Sequence, residues 1–360
     1  MRLYTVGPVD MYESTLRIGG EPLPYFRTAE FSEVMLSIER DLLALTDAPS
    51  GSRAAILTAS GTGAMEATVA ALFRPGERTL VIDGGSFGHR FAQLCDAHSV
   101  AHDDVRLAYP ERLTAESLAP FDEPGKYAAL LVNIHETSTG QLYDIDMISA
   151  FCRRNGCLLV VDAISSFLAD PLSVSRSGID ALICSSQKAL SLPPGLSFVV
   201  LGERVIRERV SVNPSPCQYL SLRDALVDME RGQTPFTPAV GIILQLRDRL
   251  TMIGSRGGLG PEIALHAERS RHFRALCGRS GIAVPSFPKS NALTTIEIPD
   301  AYGVYLWLKD ARSLTVTPAG GALKDRVLRV GHLGNKTLSE YDVLTEALLE
   351  AIHARGGAVK

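Results

Sequence analysis

The chain has 360 residues, of which 46% are hydrophobic and 21% charged, the balance of a globular protein with one large and one smaller domain. A net charge of −4 without blocks of one sign argues against nucleic acid as a partner. No apolar run is long enough for a membrane span or a signal peptide, and the six cysteines lack CxxC spacing. We therefore expect a cytoplasmic protein with reduced thiols, no metal site and no membrane contact.

Short β-branched runs alternate with helical patterns through most of the chain. An amphipathic helix at 34–45 is followed by predicted strands at 54–58, 79–83, 128–134, 157–162, 181–185 and 196–201, with helices at 63–73, 87–97 and 147–154. Nearly continuous apolar strands that alternate with helices are typical of a mainly parallel sheet covered on both faces. The predicted fold class is therefore α/β.

The last third of the chain has a different pattern. A long helix is predicted at 238–252, and a glycine-rich break follows at 254–258. Beyond it the sequence predicts strands at 292–298 and 327–330 and helices at 302–310 and 339–355. The strand at 292–298 alternates apolar and polar residues, which indicates a sheet with one solvated face. We therefore expect a smaller α+β domain from about residue 250 onward.

In α/β sheets the ligand lies at the carboxyl ends of the strands, so the residues directly after each predicted strand are candidate site residues. The turn after the first strand can form an anion cradle, because glycines let backbone N–H groups approach and the helix N-terminus adds positive potential. Its residues are Ser60, Gly61, Thr62 and Gly63. The alternative is a plain tight turn with a serine or threonine N-cap.

Three further strand ends carry side chains that a planar ligand could use. Phe87 stands between glycines after the second strand and can lie flat over a ring, or it is a core residue beside a loop. Thr137 belongs to the polar segment 135–140 after the third strand, which is either part of a site or a generic loop. Asp162 closes the fourth strand, where a buried carboxylate needs a partner such as a protonated pyridine nitrogen, or caps the following turn.

Lys188 comes shortly after the fifth strand. A lysine in that position can form an imine with an aldehyde cofactor, although most lysines are simply solvated. The argument rests on the combination of a phosphate cradle, a flat aromatic ring, Asp162 and Lys188, each at a strand end. Together they predict pyridoxal 5′-phosphate as the cofactor.

Motifs along nearly the whole chain carry a family resemblance; they lie at 7–8, 26–31, 60–63, 136–140, 161–162, 186–190 and 329–334. On these motifs the chain resembles the class V group of fold-type I pyridoxal phosphate-dependent aminotransferases. It is similar to alanine–glyoxylate and 2-aminoethylphosphonate transaminases. The resemblance implies an N-terminal segment near the active site at 1–20, a large domain with a mainly parallel seven-stranded sheet at 21–250, and a small C-terminal α+β domain at 251–360.

The resemblance also implies a role for each matching position. Lys188 would form the Schiff base and act as the general base, Asp162 would pair with the pyridine nitrogen, and Phe87 would stack on the ring. Thr137 would lie near the phenolic oxygen. Thr237 would reach the phosphate of the neighbouring subunit, since such enzymes are homodimers with active sites at the interface. The full set of implied cofactor-binding residues is Ser60, Gly61, Thr62, Gly63, Phe87, Thr137, Asp162, Gln187, Lys188 and Thr237.

For the substrate, the resemblance assigns Arg329 to binding of the carboxylate. A planar guanidinium is suited to this role because it can donate two parallel hydrogen bonds to a carboxylate. Two segments that border the substrate in relatives depart from the family pattern, and they contain Gly7 and Arg27. Arg27 would contact a second acidic group of the substrate or pair with Glu30. We expect an amino acid or aminophosphonate-like donor and a small 2-oxo acid acceptor, used in a ping-pong sequence. Their identities stay open.

The main alternative within the same fold is a pyridoxal phosphate-dependent lyase of the cysteine desulfurase type. Such lyases place histidine before the lysine and over the ring, where this chain has Gln187 and Phe87, and no cysteine follows Cys277. A non-catalytic relative is disfavoured because Lys188, Asp162 and Arg329 are all intact. A hydride-transferring enzyme is disfavoured because the dinucleotide-binding glycine pattern is missing. The sequence therefore favours transamination.

Overall fold

A computed structural model describes residues 1–357 of the chain. The strands in this part are β1 (Arg2–Leu3), β2 (Arg53–Leu57), β3 (Arg78–Asp83), β4 (Ala101–Arg106), β5 (Ala129–Asn133), β6 (His135–Glu136), β7 (Gln141–Leu142), β8 (Leu158–Asp162), β9 (Ala181–Ser185), β10 (Ser197–Leu201), β11 (Leu293–Glu297), β12 (Leu314–Thr315), β13 (Thr317–Pro318) and β14 (Val327–Gly331).

The α-helices in the same part are α1 (Glu13–Ile18), α2 (Ala29–Leu45), α3 (Gly61–Leu72), α4 (Ser86–Ala97), α5 (Ala115–Leu118), α6 (Ile145–Asn155), α7 (Val174–Ser177), α8 (Glu203–Val205), α9 (Leu222–Met229), α10 (Val240–Ser255), α11 (Leu259–Arg279), α12 (Ala301–Arg312) and α13 (Leu338–Ala354). Across residues 1–357 no helix is both long enough and apolar enough to cross a membrane.

The central sheet has seven strands in the order β2-β10-β9-β8-β5-β3-β4. Strand β10 runs antiparallel to both of its neighbours, and the other neighbouring strands are parallel. As a result, the carboxyl ends of β2, β3, β5, β8 and β9 all meet at one edge of the sheet. That edge is where the fold brings together the loops that follow these five strands.

Both faces of the sheet are covered, which is why its inner strands are apolar along their whole length. All residues of β5, β8, β9 and β10 are buried. One hydrophobic cluster includes α2 and α10, and the other includes α3 and α4. Helix α2 shows why the local sequence folds this way: Thr28 caps its first turn by accepting from the N–H of Phe31, and Met35, Ile38 and Leu42 form its buried stripe.

A third hydrophobic cluster surrounds the sheet β11-β14-β13 near the C-terminus. Helices α12 and α13 and the end of α11 pack on it. The N-terminal segment joins this cluster, because β1 pairs in parallel with β12 and Tyr4 lies in the core. The first residues of the chain therefore pack against this C-terminal cluster.

The predicted α/β class and the mainly parallel seven-stranded sheet are confirmed. Each strand predicted within the central sheet is present, with both ends within one residue of the prediction. The seventh strand, β4, is not predicted from the pattern because, as an edge strand, it buries little besides Val105. Helix α11 is also missed, since its buried side includes Glu262, His266 and Arg269, which interrupt the hydrophobic periodicity.

Candidate active site

The loop that carries Lys188 is held from two sides. Ser186 donates its hydroxyl to the carbonyl of Pro193 at 2.6 Å, which closes the loop on itself. From the other side, the fully buried Arg249 of α10 donates to the carbonyl of Leu190 at 3.3 Å. The half-buried Lys188 side chain thus projects from a rigid turn.

The electrostatic surroundings of Lys188 favour its neutral amine. Burial lowers the pKa of Lys188 to about 8, and the positive charges of Arg329 and Arg90 act in the same direction, while Asp162 opposes them. An amine with such a pKa has a larger nucleophilic fraction near neutrality than an ordinary lysine.

Asp162 ends β8 and is 1% exposed. One of its oxygens accepts from the backbone N–H of Ile164 at 2.8 Å. This bond caps the turn that follows β8, which is the alternative role considered for Asp162 in the sequence analysis. The other accepts from the side-chain amide of Asn133, the register partner of Asp162 on β5, also at 2.8 Å. Burial raises the pKa of Asp162 to about 6, against the effect of these two bonds and of Lys188. No other donor within residues 1–357 bonds to this carboxylate, so its remaining lone pairs can accept from a cationic N–H group.

The predicted phosphate cradle forms the N-terminus of α3. Ser60 is the N-cap, and its hydroxyl accepts from the N–H of Gly63 at 3.3 Å, so the capping role is present. The remaining first-turn N–H groups of α3 have no partner within the helix, as at any helix start. Thr62 accepts a hydrogen bond from Arg90 at 3.1 Å. Gly61 lies close to Ile164, directly after β8, so the cradle adjoins the Asp162 turn.

Phe87 lies in the first turn of α4 and is half-buried. The guanidinium of Arg90, one helical turn later, lies 4.8 Å from its ring centroid. Glu136 packs against this turn and is fully buried. Its carboxylate accepts from the backbone N–H groups of Phe87 at 3.4 Å and Gly88 at 2.8 Å. Glu136 therefore fixes the turn from which the aromatic ring projects.

Thr137 belongs to a small buried hydrogen-bond network. Its hydroxyl contacts that of Ser165 at 2.9 Å, and Ser165 contacts Nδ1 of His135 at the same distance. Burial lowers the pKa of His135 to about 3, with the charge of Lys188 acting in the same direction, so this imidazole is neutral at physiological pH. His135 is thus a structural member of the network.

Arg329 reaches the same edge from β14. Its guanidinium donates to the carbonyls of Thr137 at 2.7 Å and Pro318 at 2.9 Å. Its buried Nε has no hydrogen-bond partner within the described residues, which leaves a donor for an anion. Burial lowers the pKa of Arg329 to about 10, opposed by Glu136, and the group stays charged at neutral pH.

Gly7 lies against Lys188 itself. A side chain at Gly7 would place its Cβ 2.6 Å from the carbonyl oxygen of Gln187 and 2.7 Å from Cδ of Lys188, and the φ of Gly7 is +137°. Only glycine satisfies both constraints. The N-terminal segment thus contacts the lysine through Gly7.

Within residues 1–357, Arg27 and Thr237 form no hydrogen bond with the residues around Lys188. Arg27 donates to the side chain of Gln233 at 3.2 Å and to the carbonyls of Thr234 at 2.9 Å and Pro235 at 3.3 Å, and within residues 1–357 it forms no ion pair with Glu30. Thr237 is exposed on the same segment. Arg27 therefore anchors the segment that carries Thr237.

Four residues of the site are absent from the sequence-based set: Asn133, Glu136, Ser165 and Arg90. Each of them acts on a predicted residue through a hydrogen bond that links distant parts of the chain. The position of Asn133 at the end of β5 could have predicted its contact with Asp162, because neighbouring parallel strands of a sheet end side by side. The partners of the other three depend on how the loops fold.

These side chains fit pyridoxal phosphate. The site offers an amine with a lowered pKa, a buried carboxylate with free lone pairs, an aromatic ring on a fixed turn and a hydroxyl-bearing helix N-terminus. Those are the groups that an aldehyde, a pyridine nitrogen, a planar ring and a phosphate require.

Comparisons with known proteins agree with this chemistry. The family model "Aminotransferase class-V" matches residues 27–240. A 2-aminoethylphosphonate–pyruvate transaminase of Paraburkholderia xenovorans is 32% identical over 252 residues, covering 69% of this chain and 67% of that protein. Another relative, of Synechococcus sp., is called soluble hydrogenase, small subunit; it is 29% identical over 98% of this chain and 92% of its own length.

Two similar solved structures are also aminotransferases. An aspartate aminotransferase of subgroup IV from Thermus thermophilus is 30% identical, with a TM-score of 0.89 over 98% of this chain and 99% of that one. An alanine–glyoxylate aminotransferase from Nostoc sp. is 25% identical, with a TM-score of 0.90 over 97% and 94%. The predicted aminotransferase activity, fold type I and pyridoxal phosphate cofactor are thereby confirmed, and the lyase alternative gains no support. The chain belongs to the class-V aminotransferase family.

Proposed function

We propose that Lys188 and Asp162 are the catalytic residues of this aminotransferase, which moves an amino group from an amino acid or aminophosphonate-like donor to a small 2-oxo acid. One observation carries the proposal. The buried Asp162 ends β8, the half-buried Lys188 follows the adjacent parallel strand β9, and each affects the pKa of the other. The two groups that the chemistry needs at opposite ends of a pyridine ring are thus near neighbours.

Pyridoxal phosphate supplies an aldehyde that bonds to amines and a ring that accepts electrons from the substrate Cα. Asp162 would hold the ring nitrogen in its protonated form. The Lys188 amine would take the proton from the substrate Cα and deliver it to the carbon of the cofactor that derives from its aldehyde, which suits a base with a pKa of about 8. Since the donor product leaves before the acceptor binds, ping-pong kinetics follow.

The remaining cofactor contacts are part of the same proposal. Ser60, Gly61, Thr62, Gly63 and Gln187 would hold the phosphate at the start of α3. Phe87 would cover one face of the ring, and Thr137, held by Ser165, would lie near the phenolic oxygen. Thr137 also supplies the carbonyl that orients Arg329, so the ring end and the carboxylate end of the site would be aligned by one loop.

Arg329 would bind the substrate carboxylate. Its free Nε and its fixed guanidinium plane support that assignment. Gly7 would border the substrate because it lies against Lys188. Direct contact of Arg27 with the substrate has weaker support, since its guanidinium is occupied by the 233–235 segment.

We also propose that the protein is a homodimer in which Thr237 reaches the phosphate of the second copy. Thr237 is exposed beside a group of exposed hydrophobic side chains, which a second copy would cover: Leu23, Tyr25, Tyr219 and Phe236. Tyr219 and Phe236 stack on each other at a centroid distance of 5.4 Å, which gives this surface a rigid aromatic element.

Two further assignments belong to the proposal. The division into a large domain at 21–250 and a small domain at 251–360 is supported by the separate third hydrophobic cluster, although β1 places the N-terminus on the small domain. A cytoplasmic location is supported by the six free cysteines.

The test is a half-reaction followed by visible absorbance. Purified holoprotein is mixed with single amino donors, and conversion of bound pyridoxal phosphate to pyridoxamine phosphate is recorded; 2-oxo acids are then screened for the return. Lys188→Ala should abolish both steps, and Asp162→Asn should slow them by about 100-fold or more. A Lys188→Ala protein that converts donors at the normal rate would refute the assignment.

A further inference from the structure

Arg90 stands between two elements of the proposed cofactor site. It lies one helical turn after Phe87 on α4, and its guanidinium is 4.8 Å from the centroid of that ring. Its Nη1 donates to the hydroxyl of Thr62 at 3.1 Å, and Thr62 is in the first turn of α3. Arg90 thus spans the ring-binding and the phosphate-binding ends of the site.

The charge of Arg90 is uncompensated by the protein. Within residues 1–357 it forms no ion pair with a carboxylate, although it is half-buried. Of the seven other half-buried arginines in this part of the chain, three pair with an acidic side chain: Arg53, Arg209 and Arg247. The other four each donate to at least two backbone carbonyls: Arg27, Arg223, Arg274 and Arg329. Arg90 has neither arrangement, since its one hydrogen bond within residues 1–357 is to the hydroxyl of Thr62. A half-buried guanidinium without a counter-ion is a site for an anion.

The proposed phosphate end needs such a charge. The protein residues assigned to it, Ser60–Gly63, Gln187 and Thr237, are all uncharged. Lys188 is reserved for the aldehyde, and Arg329 is bound to the carbonyls of Thr137 and Pro318. The start of α3 contributes only a partial positive charge. In the absence of Arg90, no full positive charge of the assigned residues would face a phosphate that carries close to two negative charges.

We propose that Arg90 binds the phosphate group of pyridoxal phosphate together with Thr62, as the charged member of an otherwise neutral cradle. The inference rests on the function proposed above and adds a residue to its cofactor site. A hydroxyl that accepts from Arg90 can turn its own hydrogen toward a phosphate oxygen, so the two side chains can serve one anion without moving apart.

The same charge also acts on Lys188, whose pKa it helps to lower. A phosphate bound to Arg90 would offset that positive charge. Arg90 would then couple the two ends of the site, because binding of the phosphate changes the electrostatic surroundings of the amine that reacts with the aldehyde.

The experiment compares two ligands that differ only in the phosphate. The full-length protein is freed of cofactor, and the dissociation constants of pyridoxal phosphate and of pyridoxal are measured by visible absorbance for the wild type, Arg90→Gln and Arg90→Lys. For pyridoxal phosphate, Arg90→Gln should bind about 10- to 100-fold more weakly, the range expected for a lost charged hydrogen bond, and Arg90→Lys should lie between. For pyridoxal, all three proteins should agree within about twofold.

A matched control and a competition assay complete the test. Arg106→Gln removes an exposed arginine, paired with Asp104, and should leave both constants unchanged. Inorganic phosphate should compete with pyridoxal phosphate less effectively in Arg90→Gln than in the wild type. Equal weakening of both ligands would show that Arg90 only supports the fold, and no weakening would show that it does not touch the phosphate; either result overturns the inference. Failure of the wild type to bind pyridoxal phosphate would instead count against the proposed function.

Discussion

The carboxylate of Glu136 accepts a hydrogen bond of 2.8 Å from the backbone N–H of Gly88, and thereby joins the short strand β6 to the first turn of α4. Ser138 donates to the same carboxylate through its hydroxyl at 2.5 Å and its N–H at 3.0 Å. A side chain at Gly85 would place its Cβ 2.6 Å from Cδ of Glu136, so the two elements are in close contact. Glu136 is thus a positioning residue for the turn that carries Phe87.

Replacement of Glu136 should loosen that turn. Glu136→Ala leaves the N–H groups of Phe87, Gly88 and Ser138 without their acceptor and should lower the free energy of unfolding by about 3 kcal/mol or more, and Glu136→Gln by about 1–3 kcal/mol. Denaturant titration measures both, and visible circular dichroism of the bound cofactor reports the ring environment. The exposed Glu346→Gln serves as the control. A native dichroism signal in Glu136→Ala would contradict the positioning role.

The lowered pKa of Lys188 predicts a specific pH dependence for cofactor uptake. The reactive form is the neutral amine, so the association rate of pyridoxal phosphate with the cofactor-free protein should rise about tenfold per pH unit up to about pH 8 and then level off. Stopped-flow absorbance between pH 6 and 10 gives the profile. A free lysine derivative, whose rate rises toward its ordinary pKa near 10, is the reference. A protein profile that follows that reference would show that burial does not lower the pKa of Lys188.

Gly7 should tolerate no side chain. In Gly7→Ala the new Cβ meets the carbonyl of Gln187 and the chain of Lys188, so we expect slower cofactor uptake and a loss of about 1–3 kcal/mol in unfolding free energy. Gly76→Ala is a matched control, since Gly76 also has a positive φ, of +90°, but nothing lies within 4 Å of the added Cβ. If both variants take up cofactor at the wild-type rate, Gly7 does not contact Lys188 as described.

Two arginines on α10 allow a comparison of buried and exposed ion pairs. Arg249 and Glu262 are 0% and 1% exposed, and Arg249 also holds the Lys188 loop through Leu190. Arg249→Leu should cost about 3–5 kcal/mol because it leaves the buried carboxylate of Glu262 with only a 3.8 Å contact to Arg256. Arg247→Leu breaks the partly exposed pair with Asp41 and should cost at most about 1 kcal/mol. Urea unfolding of the two variants checks the ranking, and equal losses would contradict it.

Much of the fold follows from local patterns. The inner strands of the sheet are buried on both faces and therefore apolar throughout, so they stand out in the sequence, and their ends mark Asp162 and Lys188. Elements whose buried side includes charged or polar residues, or which bury few residues, do not stand out in the sequence. Helix α11 buries Glu262 and Arg269, and β4 is an edge strand, so hydrophobic periodicity misses both.

By itself, the sequence determined the α/β class, the cofactor and the residues at the strand ends, because hydrophobic alternation and strand-end chemistry are local properties. Tertiary structure decided which polar groups meet. Asn133 binds Asp162 across 29 residues of sequence, Arg90 binds Thr62 across 28, and Glu136 binds Gly88 across 48. Strand order and loop packing create these contacts. A polar side chain can satisfy its hydrogen bonds with many partners, so its residue type alone does not specify which partner the fold supplies.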